Sequence, residues 1–152
     1  MKPLFHLTLL LAVGFLLPAC GDKKPTDAEI ADAVAAFVEQ YESAYQSNDR
    51  ESVLVQVDWP AVDEELREFT KAYVFPFQGQ VALLSAESQP YEPAPDDPAE
   101  YEGHAIVPSP TPTHRVTLIF EPPNPYAEPE PIDILVVWRE DKVRLCGWAR
   151  AQ

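Results

Sequence analysis

Glycine, cysteine and basic residues are all scarce in this chain of 152 residues: five glycines, two cysteines, and eleven Lys or Arg against twenty-five Asp or Glu. The glycines do not cluster, which excludes a phosphate-cradling Gly-rich loop and a dinucleotide-binding fingerprint. Two cysteines without clustered histidines make no metal-site pattern, so no metal and no cofactor is expected. A net charge of −14 excludes a basic nucleic-acid binder. Nucleophile-elbow and zinc-protease motifs are missing. Beyond Leu17 no second apolar run approaches the roughly 20 residues that a membrane span needs.

Proline is abundant. Seventeen are present, about twice the usual share of about 5 %, and twelve of them lie between Pro90 and Pro131. Aromatic residues at 11 % argue against wholesale disorder. The length suits one domain.

Residues 1–19 have the parts of a secretory signal: Lys2, an apolar run from Leu4 to Leu17, then Pro18-Ala19 before Cys20. Leu17-Pro18-Ala19-Cys20 resembles the lipobox of bacterial lipoproteins. That resemblance implies cleavage before Cys20 and acylation of Cys20 with palmitate-type chains. A second acyl chain is what makes such an anchor stable, since one buried chain holds only marginally. Gly21 in place of an acidic residue implies outer-membrane sorting, on the periplasmic side. Cleavage removes Lys2 and no acid, leaving ten basic residues against twenty-five acidic ones. Residues 20–25 then form a tether reaching about 20 Å at most. Within it Lys23-Lys24 are either headgroup contacts or plain solvated linker. Lipidation of Cys20 leaves Cys146 without a partner in the chain, as a buried or reactive thiol.

The domain is expected over 26–152, helices first. Thr26-Asp27-Ala28-Glu29 is a capping box. Ile30, Val34, Phe37, Val38, Tyr41 and Tyr45 share one face of the helix that follows. Asn48 or Asp49 caps a short second helix to about Gln56. Val62, Leu66, Phe69 and Tyr73 predict a third, with Asp63, Glu64 and Glu65 in its first turn. From Gln80 the period becomes two, and strands are predicted over 81–88, 101–107, 113–121, 132–139 and 142–149. The last two are predicted to pair as a hairpin turning at Glu140-Asp141. That pairing sets Trp138 opposite Val143, Val136 opposite Leu145, Ile134 opposite Gly147 and Ile132 opposite Ala149 on the core side. The other side carries Val137 with Arg144, Leu135 with Cys146 and Asp133 with Trp148, and is expected to be partly wet. The proline-rich stretches read as stiff connections. Their alternative is a recognition strip anchored by Tyr91, Tyr101 and Tyr126.

Phe37–Asp49 (Phe-Val-Glu-Gln-Tyr-Glu-Ser-Ala-Tyr-Gln-Ser-Asn-Asp) and Val136–Trp148 (Val-Val-Trp-Arg-Glu-Asp-Lys-Val-Arg-Leu-Cys-Gly-Trp) resemble the NTF2-like, cystatin-like domains of bacterial lipoproteins. The resemblance implies an α+β fold, with N-terminal helices packed on a curved antiparallel sheet as a cone around a pocket. Isomerases, dehydratases and non-enzymatic binding modules share that fold, so it does not decide function. The core side of the hairpin offers no acid, base or nucleophile. Trp59, Tyr73, Phe75, Phe77 and Trp138 are the candidate lining of an apolar hollow for a hydrophobic small molecule, with space left by Gly147 and Ala149. The expectation is a membrane-anchored, non-enzymatic module that binds a small ligand or an envelope protein. Its alternatives are an envelope enzyme of isomerase or hydrolase type and a structural or assembly accessory. The enzyme reading would use Asp58 (beside Trp59), Tyr41, Tyr45, Tyr73, His104 or His114.

Overall fold

The computed structural model describes residues 24–93, 99–124, 126–129 and 131–151. The expected signal peptide 1–19, the expected lipidation residue Cys20 and the expected tether as far as Lys23 lie outside the described residues. The domain is an α+β fold with its helices first and two antiparallel sheets after them.

Helix α1 spans Asp27–Gln46 and begins at the predicted capping box. Thr26 Oγ1 accepts from the Glu29 backbone at 3.2 Å, and the Thr26 backbone donates to Glu29 Oε2 at 2.7 Å. These bonds hold the Glu29 carboxyl below its ordinary pKa, the backbone bond contributing most. The apolar stripe Val34, Phe37, Val38, Tyr41, Ala44 and Tyr45 is buried. Each large side chain on it contributes roughly 1.5–3 kcal/mol by leaving water. Asp49 caps α2 (Arg50–Leu54) through the Ser52 backbone at 3.1 Å.

The third helix starts later than its apolar stripe predicts. Short 3-10 turns at Trp59–Ala61 and Glu64–Leu66 precede α3, which covers Arg67–Val74. Asp63 accounts for the delay. Its backbone donates to the Trp148 carbonyl at 3.2 Å and its Oδ2 accepts from the Arg150 backbone at 2.7 Å. Asp63 is thereby tied to the last strand, and its carbonyl opens only the short Glu64–Leu66 turn by accepting from the Leu66 backbone at 2.9 Å. Pro76–Gly79 ends the helical half as a tight turn, where Phe77, Gln78 and Gly79 stand at φ +53°, +54° and +71°.

The strands are β1 (Leu83–Pro90), β2 (Ala99–Tyr101), β3 (His104–Ser109), β4 (His114–Phe120), β5 (Pro131–Arg139), β6 (Lys142–Leu145) and β7 (Gly147–Arg150). One sheet has the order β1-β4-β5-β6 and the other β2-β3-β7. The predicted strand 101–107 is two strands, folded at Glu102 and Gly103, whose φ values of +51° and +77° suit a tight hairpin turn.

The predicted β5 hairpin is correct at its closed end and incorrect beyond it. Glu140 and Asp141 turn at φ +53° and +59°, Trp138 faces Val143, and Val136 faces Leu145. At Cys146 the chain leaves the first sheet. Gly147, Trp148 and Ala149 pair with Ser109, Pro108 and Val107 of β3, not with Ile134, Asp133 and Ile132. Ile134 and Ile132 pair instead with Val116 and Leu118. Bends of this kind let one strand serve two sheets at a corner.

One face of the first sheet meets α1 and α3 in a core containing Val34, Phe37, Tyr41, Tyr45, Phe75, Leu118, Ile134 and Leu145. A second cluster joins Leu66, Ile106 and Trp148, with Phe69, Tyr73 and Tyr101 against it. The side expected to be partly wet is dry at its centre, where Leu135, Val137 and Cys146 are buried together against Tyr91, while Asp133 and Arg144 on it are half-buried. Asp133 there is not opposite Trp148 but paired with Arg115 at 2.8 Å and with Thr117 at 2.7 Å. Among the described residues no helix is long and apolar enough to cross a membrane.

Candidate functional site

The aromatic residues singled out as a hollow are distributed over the packing. Phe75 is buried against Tyr45, ring centroids 5.0 Å apart. Tyr73 meets Trp148 edge-on at 5.2 Å in the second cluster. Trp59 is half-buried, its indole N–H donating to the Leu54 carbonyl at 3.0 Å. Trp138 is half-buried on β5. The space expected beside Gly147 is filled, because a Cβ there would lie 2.3 Å from Val62 Cγ2 and 2.9 Å from Thr70 Cγ2. Glycine at 147 admits these neighbours and leaves no hollow for a ligand.

Of the titratable candidates, Tyr41 and Tyr45 stack on one another with ring centroids 6.2 Å apart, and Asp58 is held by a different partner. Asp58, 8 % exposed, is engaged by Arg139 at 2.9 Å, and its backbone donates to the Leu145 carbonyl at 3.0 Å. The hydroxyls of Tyr41 and Tyr45 donate to the carbonyls of Val74 and Pro76, at 2.9 and 2.8 Å. Burial raises the pKa of both phenols. His104 is exposed at the start of β3, opposite Tyr101. His114 is half-buried at the start of β4, and burial lowers its pKa. Among the described residues no group of three or more His, Cys, Asp or Glu is arranged to hold a metal ion. Cys146 is a buried free thiol, its pKa raised by burial and then by the Asp58 charge.

A concavity occurs elsewhere, where the segment just before β1, the end of β4 and the β4–β5 connection meet. It is an open groove of about 600 Å3 lined by Phe77, Val81, Phe120, Pro122, Pro123 and Ala127. Glu121 and Glu128, both exposed, complete its wall, and none of the described Lys, Arg or His lines it. Phe77 is 50 % exposed and stands edge-on over buried Phe120 at 5.1 Å. Tyr126, fully in solvent at 97 %, projects from the same connection. Of the three tyrosines in the proline-rich half, Tyr91 packs under Arg115 and Tyr101 packs on Phe69, leaving Tyr126 exposed.

The sequence marks Phe77 as a candidate but gives it the wrong company. Its neighbours in the groove are Val81 and Phe120, read as strand residues, and Pro122, Pro123 and Ala127, from a connection read as stiff loop with a recognition strip as the alternative. A run of Pro122-Pro123 directly after the acidic end of an apolar strand is the signal that was there to be read.

Comparison of the chain with protein-family models, curated proteins and solved structures finds no match.

Proposed function

We propose that this protein is a bacterial envelope lipoprotein, anchored through acyl chains on Cys20, whose domain is a non-enzymatic binding module. The observation that carries the reading is Leu17-Pro18-Ala19-Cys20 closing a short apolar run that follows Lys2. The capping box at Thr26 begins the domain six residues after that cysteine, so the globule is held within about 20 Å of the bilayer. Acylation by more than one chain makes this attachment stable. Gly21 favours the outer membrane, with the domain on the periplasmic side.

A binding role is favoured over catalysis because three of the candidate catalytic groups are committed to internal partners. Asp58 is paired with Arg139, and the Tyr41 and Tyr45 hydroxyls are spent on backbone carbonyls. Catalysis needs such groups converging on one cavity. The finer fold reading is an NTF2-like cone. Support for it comes from the helix-first order and from α1 and α3 packing on one face of the antiparallel strands.

Membrane fractionation tests the anchor. The native chain is expected in the membrane fraction and Cys20→Ala in the unprocessed or soluble pool. A correctly cleaved Cys20→Ala protein that still sediments with membranes refutes lipid anchoring at that residue.

A further inference from the structure

We infer that the Phe77–Phe120 groove receives a cationic segment of a partner protein, an apolar side chain flanked by Lys or Arg. The inference rests on the domain being a binding module and names what it binds.

The first support is the backbone under Phe77. Phe77 and Gln78 both occupy the left-handed region at φ +53° and +54°. That region is unfavourable for any residue that carries a Cβ. The turn is nonetheless pinned. The Tyr45 hydroxyl holds the Pro76 carbonyl at 2.8 Å, the Gln80 backbone donates to the Phe77 carbonyl at 3.0 Å, and Asn48 packs against Gly79. This strain leaves a phenyl ring half in water over a buried partner ring. Backbone strain that presents a group outward marks functional sites, and exposed aromatics are the usual anchors of protein interfaces.

Charge selects the occupant. The carboxylates in the groove wall are Glu121 and Glu128, and no Lys, Arg or His is among the described residues that line it. An apolar floor with an acidic wall suits a segment of opposite charge. Shape agrees. The concavity is open along one side, as a passing chain requires, and Pro122 and Pro123 stiffen its wall, so little order is lost on binding.

The groove is set apart from the end of the domain that carries the tether. Thr26 caps one end of α1, while Tyr45 near the other end packs on Phe120 at 5.3 Å. A helix of 20 residues spans about 30 Å, so the groove lies at the end of α1 remote from the tether.

The test titrates the full chain with a matched peptide set, each member carrying a central Leu-Phe flanked by lysines, by serines or by glutamates. Amide NMR locates binding and fluorescence anisotropy measures it. The lysine peptide is expected to shift the amides of Gln80, Val81, Ala82 and Ala127. It is expected to bind at least about tenfold tighter than the glutamate peptide, a difference of about 1.4 kcal/mol. Its affinity should fall as salt screens the carboxylates. Glu121→Gln combined with Glu128→Gln, both at exposed positions, should abolish the advantage of the lysine peptide over the serine one. Phe77→Ala should weaken both.

Equal affinity for all three peptides overturns the cationic partner while keeping the groove as a binding site. Shifts confined to another surface, no binding by any peptide, or self-association that occupies the groove overturns the inference altogether. A chain recovered without lipid still enters this assay, so failure of the anchor and failure of the groove are separate results.

Discussion

The Tyr45 hydroxyl, near the end of the first helix, donates to the Pro76 carbonyl 2.8 Å away and so fixes the left-handed turn that carries Phe77. One turn earlier the Tyr41 hydroxyl does the same for the Val74 carbonyl at 2.9 Å. Two residues four apart on α1 thereby close the end of α3 and the turn behind it.

Removing the Tyr45 hydroxyl orphans a buried carbonyl. Tyr45→Phe is expected to lower stability by about 1–3 kcal/mol, the desolvation cost of an unsatisfied buried polar group. Urea unfolding measures this, and a neutral result would mean that the bond does not hold the turn.

Gly147 stands at the corner between the sheets, where Val62 and Thr70 close on the backbone. Gly147→Ala drives a methyl group into Val62 and is expected to cost about 1–3 kcal/mol as overpacking. Combining it with Val62→Ala should recover part of the loss, because the two sites share one volume. Absence of recovery would count against direct contact.

The Asp58–Arg139 pair is asymmetric: the carboxylate side chain is 10 % exposed and the guanidinium 48 %. Arg139→Met strands a buried charge. The cost is expected well below the roughly 3–5 kcal/mol of a fully buried pair, since water already reaches the arginine. Asp58→Asn with Arg139→Met should be milder than Arg139→Met alone. The double-mutant cycle in thermal unfolding reads the difference.

Cys146, Tyr41 and Tyr45 have pKa values raised by burial, so the native chain keeps protons that the unfolded chain releases. Their contribution to stability is complete below the unfolded thiol value of 9.0 and declines as pH climbs past it and past the phenol value of 10.0. The urea midpoint should therefore fall on the alkaline side of pH 9.0. In the same samples Cys146 should resist iodoacetamide while native and react once unfolded.

Local chemistry was legible in the sequence and long-range pairing was not. The Thr26–Glu29 capping box and the Glu140-Asp141 turn each depend on residues a few positions apart, and both formed as read. The departure at Cys146 depends on β3, some forty residues earlier in the chain, where Ser109 takes Gly147 from Ile134. No periodicity within 142–149 encodes that choice, since apolar alternation suits either partner. The burial of Leu135 and Val137 beside Cys146 escaped for a related reason: their cover is Tyr91, from the connection after β1. Glu102-Gly103 was a readable turn signal inside a strand pattern. At the candidate site, Phe77 was visible as an aromatic residue, but its left-handed backbone was not. The turn that carries it is held by Tyr45 and Asn48, about thirty residues away.

The most direct test of the account is the intact mass of the mature chain and of its first tryptic peptide. Acylation at Cys20 predicts that the chain begins at residue 20 and carries the added mass of a diacylglyceryl group and an N-terminal acyl chain. A mature chain that begins elsewhere, or a Cys20 that bears a free thiol, would contradict it.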